Sequence, residues 1–146
     1  MPTPNLAIRP AREADREALA GLSTQLGYPM SADEAERSLA RVASHPDHVL
    51  LVAEQDGRVA GWLQVSRTRV FETPGGAEIG GLVVDEALRG RGIGRELLAE
   101  AERWARDRGC GKLRVRSNLV RERAHGFYRS SGFAEVKTQR VFEKPL

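Results

Sequence analysis

The sequence predicts an α+β domain with a mixed, mostly antiparallel central sheet flanked by about four helices. Three observations carry that expectation. Strand and helix signals are mixed in order along the chain. Turn signals at Asp56-Gly57 and at Thr73-Pro74-Gly75-Gly76 separate β-rich segments, which makes the middle of the chain antiparallel. One long amphipathic helix, 93–108, then stands between two further strand segments and supplies a single parallel crossover.

Taken in order, Leu6 to Arg9 reads as a short strand stopped by Pro10. Ala18, Leu19, Leu22 and Leu26 recur at helical spacing in a helix that ends at Gly27. Tyr28-Pro29-Met30 is a loop, and Ser31-Ala32-Asp33-Glu34 is a capping box opening a second helix with Ala35, Leu39 and Val42 inward. Val49 to Glu54 and Val59 to Val70 are a strand pair, and Ala77 to Val84 is the next strand. Gly80-Gly81 inside it calls for a bulge or a close backbone approach. The long helix places Ile93, Leu97, Ala101, Trp104 and Ala105 on one face and ends at Gly109. Lys112 to Ser117 is a strand, a final helix runs from Asn118 to near Gly132, and Phe133 to Val136 with Arg140 to Glu143 reads as a last strand pair.

The 146 residues suit one domain, spanning 1–146, long enough to bury about 70% of the surface of the unfolded chain. Charged residues at 29% and hydrophobic ones at 40% set aside disordered and membrane classes. The longest apolar run, Val49 to Ala53, falls far short of the roughly 20 residues a spanning helix needs. Met1-Pro2-Thr3-Pro4-Asn5 lacks the apolar segment of a targeting sequence, so a soluble, cytoplasmic protein is expected. Cys110 is the single cysteine; with no intrachain disulfide available it reads as a small packing residue. His45 and His48 flank Pro46-Asp47 without a third ligand at suitable spacing, so no metal site is expected.

The net charge of +3 comes mainly from arginines that alternate with acids on helix faces, as in Arg12-Glu13-Ala14-Asp15-Arg16-Glu17. With aromatics at 5%, there is no interleaved basic and aromatic stripe for nucleic acid. Lys112 to Arg123 is the least balanced stretch, carrying Lys112, Arg114, Arg116, Arg121 and Arg123 against Glu122. It reads as a polar strand face and helix rim, with attraction of an anionic cofactor as its functional alternative.

The chemistry concentrates between Glu78 and Arg95. Arg89-Gly90-Arg91-Gly92-Ile93-Gly94-Arg95 is a glycine-rich loop opening directly into a helix. A helix start leaves amides without partners and adds about half a positive charge, and glycines let a phosphate approach the main chain. A P-loop would need Lys and then Ser or Thr after the last glycine, where Arg95 and Glu96 stand. A dinucleotide fold wants an acid at the end of the next strand, where Asn118 stands.

By contrast, Arg89 to Gly94 resembles the Arg/Gln-x-x-Gly-x-Gly/Ala loop of the GNAT superfamily of N-acetyltransferases. Asn118, Ala124-His125-Gly126-Phe127-Tyr128 and Gly132-Phe133 resemble that family's closing motif. The resemblance covers nearly the whole chain. It implies acetyl-CoA as co-substrate, its pyrophosphate held by Arg89, Gly90, Arg91, Gly92, Ile93, Gly94 and Arg95. It also implies that the pantetheine arm is wedged between two splayed parallel strands, where Leu82, Val83 and Val84 offer main-chain partners. Asn118 and Tyr128 would face the thiol end.

Transfer to an amine needs a base, because an alkyl ammonium with a pKa near 10.4 has no lone pair. Glu78, eleven positions before Arg89, matches the spacing of the strand glutamate that serves as base in the histone-acetylating branch. An exposed glutamate that pairs with an arginine is the alternative. Tyr128 is the candidate acid for the departing thiolate. Tyr28 and Met30, in the connection the family places over the acceptor pocket, are candidates to line it together with Glu78, and simple packing is the alternative. His125 reads as structural, and Gly126 inside the final helix suggests close approach of the cofactor or a helix.

The expected function is therefore acetyl-CoA-dependent transfer to a primary amine of a small molecule or peptide, by direct attack in a ternary complex. A catalytically silent acyl-CoA-binding or regulatory module is the alternative. The amine acceptor is unnamed by the sequence, and a homodimer stays open.

Overall fold

The computed structural model describes residues 5–146. These form two compact units, one ending at Arg116 and one spanning Ser117–Leu146, and the first carries the whole sheet. In it run β1 (Leu6–Pro10), α1 (Arg16–Leu26), α2 (Ala32–Ala43), β2 (His48–Gln55), β3 (Arg58–Val70), β4 (Thr73–Val84), α3 (Ile93–Asp107) and β5 (Leu113–Val115). The second unit holds α4 (Glu122–Ser130). The strands lie in the order β1-β2-β3-β4-β5, antiparallel throughout except for the parallel pair β4–β5.

Local chemistry explains the element ends. At the start of α2, Ser31 Oγ accepts from the Glu34 amide at 3.1 Å and Glu34 Oε1 accepts from the Ser31 amide at 3.3 Å, which is the capping box read from the sequence. α1 stops at Gly27, whose φ of +104° turns the chain out of the helix. Asp56 and Gly57 take φ of +51° and +79°, the two positive values a tight hairpin of this twist requires.

Strand alternation then sorts the core onto two faces. Leu51, Leu63, Val65 and Ile79 fall on one face and are buried beneath α3, which turns Ile93, Leu97, Leu98, Ala101, Trp104 and Ala105 inward. Gly61 belongs to the same face, and a Cβ there would stand 3.4 Å from a Leu97 methyl. On the other face Val52 packs with Leu19 and Ala20 of α1 and Ala35 and Leu39 of α2, with Leu50 and Trp62 at the margin. Arg9 of β1 grips the buried Asp15 through both carboxylate oxygens, at 2.8 and 2.9 Å, and reaches Glu54 of β2 at 3.0 Å. That guanidinium, together with the Arg12 amide, holds the Asp15 carboxyl below the usual carboxylate range against the opposing effect of burial.

Two expectations are corrected. The β3–β4 turn falls on Phe71-Glu72, and Thr73 to Gly76 already belong to β4. Here Thr68 Oγ1 bonds both the amide and the carbonyl of Gly76, and Gly75, at φ +77°, bulges between the strands. A Cβ on Gly75 would overlap the Thr68 carbonyl oxygen. Gly75→Ala is accordingly expected to cost about 2 kcal/mol of stability, read as a lower urea midpoint at unchanged slope. An unshifted midpoint would show that the hairpin end bears no weight.

The expected last strand pair is the second correction. Residues 133–146 form no strand, and β5 ends the sheet. Lys137-Thr138-Gln139, between the two β-rich runs, has no Gly, Asn or Asp to supply the positive φ of a tight hairpin. A two-stranded ribbon is in any case marginal by itself.

Candidate active site

The glycine loop is entered through a stapled turn. After β4 the Asp85 amide donates to the Ala60 carbonyl at 2.8 Å, and Asp85 Oδ1 accepts from the Ala87 amide at 3.0 Å. Gln25, near the end of α1, accepts from the Glu86 amide at 3.0 Å and reaches Asp85 Oδ1 at 3.5 Å. No spacing in the sequence points to Gln25, because its partners lie sixty positions on.

Beyond the turn Arg89 is extended, and Gly90 and Gly92 take φ of +81° and +82°. Gly92 caps α3, whose first internal bond runs from the Glu96 amide to the Gly92 carbonyl at 3.1 Å. The amides of Ile93, Gly94 and Arg95 thus occupy the helix start, where no carbonyl lies one turn back to receive them. Ile93 itself is 1% exposed, so its side chain anchors the helix in the core while its amide stays at the loop. Arg89, Arg91 and Arg95 are exposed around it.

The strand feeding this loop has a released edge. β4 pairs with β5 only through Ala77, Glu78 and Ile79, opposite Leu113, Arg114 and Val115. Past that point Gly81, Leu82, Val83 and Val84 have β3 alone for a strand neighbour, opposite Gln64, Leu63, Trp62 and Gly61. The break coincides with the expected bulge: Gln64 faces Gly81 and Val65 faces Ile79, leaving Gly80 between them. Both glycines have steric reasons. A Cβ on Gly81 would lie 2.8 Å from the Trp62 ring, and one on Gly80 would lie 3.3 Å from Gln64 Oε1.

Glu78 stands two residues before the release, half-buried, in a row with Ser66 of β3 and Arg114 of β5. Arg116 Nε donates to Glu78 Oε1 at 3.0 Å. The pairing with an arginine that the sequence held as the alternative is therefore present. The two loop candidates separate: Met30 packs against the α1–α2 core, whereas Tyr28 is 69% exposed. Tyr28 is placed by its backbone, its carbonyl accepting from Ser23 Oγ at 2.8 Å.

Asn118 and Tyr128 belong to the second unit. Asn118 Oδ1 accepts from the Val120 amide at 3.1 Å, and its carbonyl accepts from the Arg121 amide and from His125 Nε2 at 2.8 Å. His125 is thus a structural donor tying α4 to the turn before it. Tyr128 packs edge-on against Phe127 and Phe133, with ring centroids 5.4 and 5.7 Å away. Burial pushes its phenol above the usual value, with Arg121 pulling weakly the other way. A Cβ on Gly126 would meet no atom of its own unit, so helix packing there does not explain that glycine.

The Cys110 amide closes the end of α3 on the Ala105 carbonyl at 3.0 Å. His45 and His48 meet edge to face at 4.9 Å, and no group of three metal-ligating side chains occurs among the described residues. No helix among them is long and apolar enough to cross a membrane.

With this geometry in place, three comparisons bear on it. The model of the Acetyltransferase (GNAT) family matches residues 14–133. The chain is 32% identical over 143 residues to an aminoglycoside N(6′)-acetyltransferase type 1 of Stenotrophomonas maltophilia, covering 95% of this chain and 93% of that protein. It is 36% identical over 140 residues to glucosamine 6-phosphate N-acetyltransferase 1 of Oryza sativa subsp. japonica, covering 90% and 83%. An aminoglycoside N-acetyltransferase solved in complex with CoA shares the fold at a TM-score of 0.86 and 20% identity, over 97% of this chain and 95% of that one.

Proposed function

Because this chain belongs to the acetyltransferase (GNAT) family, we propose that it transfers an acetyl group from acetyl-CoA to a primary amine of a small molecule or peptide, by direct attack in a ternary complex. The observation that carries the reading is the continuity of three features along one strand: Glu78, then the edge released at Gly80, then the loop opening α3. A relative acting on aminoglycosides and another acting on glucosamine 6-phosphate support an amine on a small molecule.

The donor set fits the co-substrate. The amides of Ile93, Gly94 and Arg95, approached across Gly90 and Gly92 and rimmed by Arg89 and Arg91, suit a diphosphate. Leu82, Val83 and Val84 offer main-chain groups to an arm bearing amides. Bound there, acetyl-CoA supplies a thioester carbonyl from which an amine displaces the thiol. No metal is required of the protein for this chemistry.

Glu78 takes a proton from the acceptor ammonium at a carboxylate oxygen, and Oε2 is the oxygen that Arg116 leaves open. Tyr128 holds its proton through the neutral range, because burial raises its pKa, gives it to the departing sulfur, and is restored by the second proton that the acceptor nitrogen sheds as the amide forms. Asn118 is carried with Tyr128 on the same unit. Glu78→Gln is expected to lower turnover at pH 7 by about 10²-fold, with recovery as pH rises toward the amine pKa and free amine accumulates. The Michaelis constant for acetyl-CoA should hold. A pH profile that overlays the parent moves the base to water.

Thiol release from acetyl-CoA across a panel of primary amines tests the activity itself. Calorimetric CoA binding without release from any amine would replace this reading with the silent acyl-CoA-binding module.

A further inference from the structure

We propose that the preferred acceptor carries an anionic group, a carboxylate or a phosphate, a few bonds from its reacting amine. The proposal rests on the acetyltransferase reading and deepens it. It comes from the basic residues of β5 and its flanks, of which only Arg116 has so far been given a partner.

Lys112, Arg114 and Arg116 alternate along β5 and its flanks, while Leu113 and Val115 between them lie in the rows of Ala77 and the buried Ile79. Alternation puts the three cations on one face of the sheet. That face is the one bearing Glu78, since Glu78 and Arg114 are in register and registered side chains stand on the same side. Lys112 confirms the placement: its side chain passes 2.9 Å from where a Cβ of Gly76 would stand, and Gly76 is two residues before Glu78 on the same strand.

The electrostatic balance follows. Against three cations β4 and β5 offer one carboxylate on this face, Glu78, and Arg116 already holds its Oε1 at 3.0 Å. Neither Lys112 nor Arg114 forms an ion pair with a carboxylate among the described residues. The cross-strand neighbours on this face, Ser66 of β3 and His48 of β2 beyond it, add no negative charge. Asp33 and Glu36 of α2 are engaged by Arg16, and Asp47 by Arg69.

An ammonium that settles on Glu78 therefore comes to rest beside Arg114, one strand spacing of about 4.8 Å away. A polycation placed there meets the like charge along β5. An acceptor with a negative group at about that distance from its amine satisfies both strands at once, the ammonium on β4 and the anion on β5. Sugar phosphates bearing an amine and amino acids share this chemistry.

Matched pairs test it at saturating acetyl-CoA: glucosamine 6-phosphate against glucosamine for the phosphate, β-alanine against β-alaninamide for the carboxylate, and an aminoglycoside as the polycation. The anionic member of at least one pair should have kcat/KM about tenfold or more above its neutral partner and above the aminoglycoside. Arg114→Gln should collapse that ratio to near one through acceptor KM, with the KM for acetyl-CoA unmoved. Lys112→Gln, at an exposed position, should reduce the ratio about threefold and guards against misfolding of the first variant.

A neutral amine or the aminoglycoside as best substrate would overturn the proposal and leave the acetyltransferase reading intact. A rise in acetyl-CoA KM in place of acceptor KM would also overturn it, assigning the cations to the co-substrate. Calorimetric titration of the CoA-loaded protein with the same pairs makes the comparison without turnover. Equal or weaker binding of both anionic members there overturns the proposal even if no amine is acetylated, the result that sinks the activity.

Discussion

Gly92→Asp is expected to abolish CoA binding while the domain stays folded. Gly92 caps α3 at φ +82°, directly ahead of the amides of Ile93, Gly94 and Arg95. A side chain there meets three obstacles at once. Left-handed backbone costs a non-glycine residue about 1 kcal/mol, which a domain of this size survives. The carboxylate of a residue at a helix cap accepts hydrogen bonds from the amides two or three positions on, which takes those donors from the ligand. Its charge also repels a diphosphate across a short distance. Calorimetry should find CoA affinity down by at least about 10²-fold, equivalent to roughly 2.7 kcal/mol, in a protein whose thermal midpoint falls by only a few degrees. Undiminished affinity in a folded variant would remove the loop from the binding site.

Tyr128→Phe should lower kcat by about 10²-fold, the low end of general-acid effects, with Michaelis constants and thermal stability nearly unchanged. The substitution keeps the ring, and the ring makes the edge-on contacts with Phe127 and Phe133. The hydroxyl hydrogen-bonds no residue of its own unit, so removing it strands no protein partner there. Burial raises the phenol pKa, which keeps the proton on the oxygen across the working range. It follows that this group adds no alkaline limb to the rate below about pH 10. A CoA thioester with a better leaving thiol should be slowed less. A kcat within about twofold of the parent, with chemistry limiting turnover, would reduce Tyr128 to a packing residue.

What could be read in advance was local. The Ser31–Glu34 capping box, the Asp56-Gly57 turn, the Gly80 bulge and the buried stripe of α3 are each written within a few consecutive residues. So are the positive φ values at Gly90 and Gly92. What stayed hidden depends on partners remote in the chain. Gln25 supporting Glu86 and Arg116 pairing with Glu78 span 61 and 38 positions, and no periodicity encodes such meetings. Met30 turned inward for the same reason, drawn by a core assembled from α1, α2 and β2. The last strand pair does not form because the link Lys137-Thr138-Gln139 holds no residue suited to the positive φ of a tight turn.

The short β4–β5 seam has a further consequence, for where the sheet opens. Val52 of β2 and Leu63 of β3 lie where their strands are paired on both sides, whereas β5 is held to β4 through three residues. Such a pairing can fray with little free energy, while the interior strands release their amides only when the whole unit unfolds. The amides of Arg114 and Val115 therefore exchange with solvent through local openings, far faster than those of Val52 or Leu63. Breathing in this unit is concentrated beside Glu78 and the released edge of β4, the place proposed for the acceptor to enter and leave.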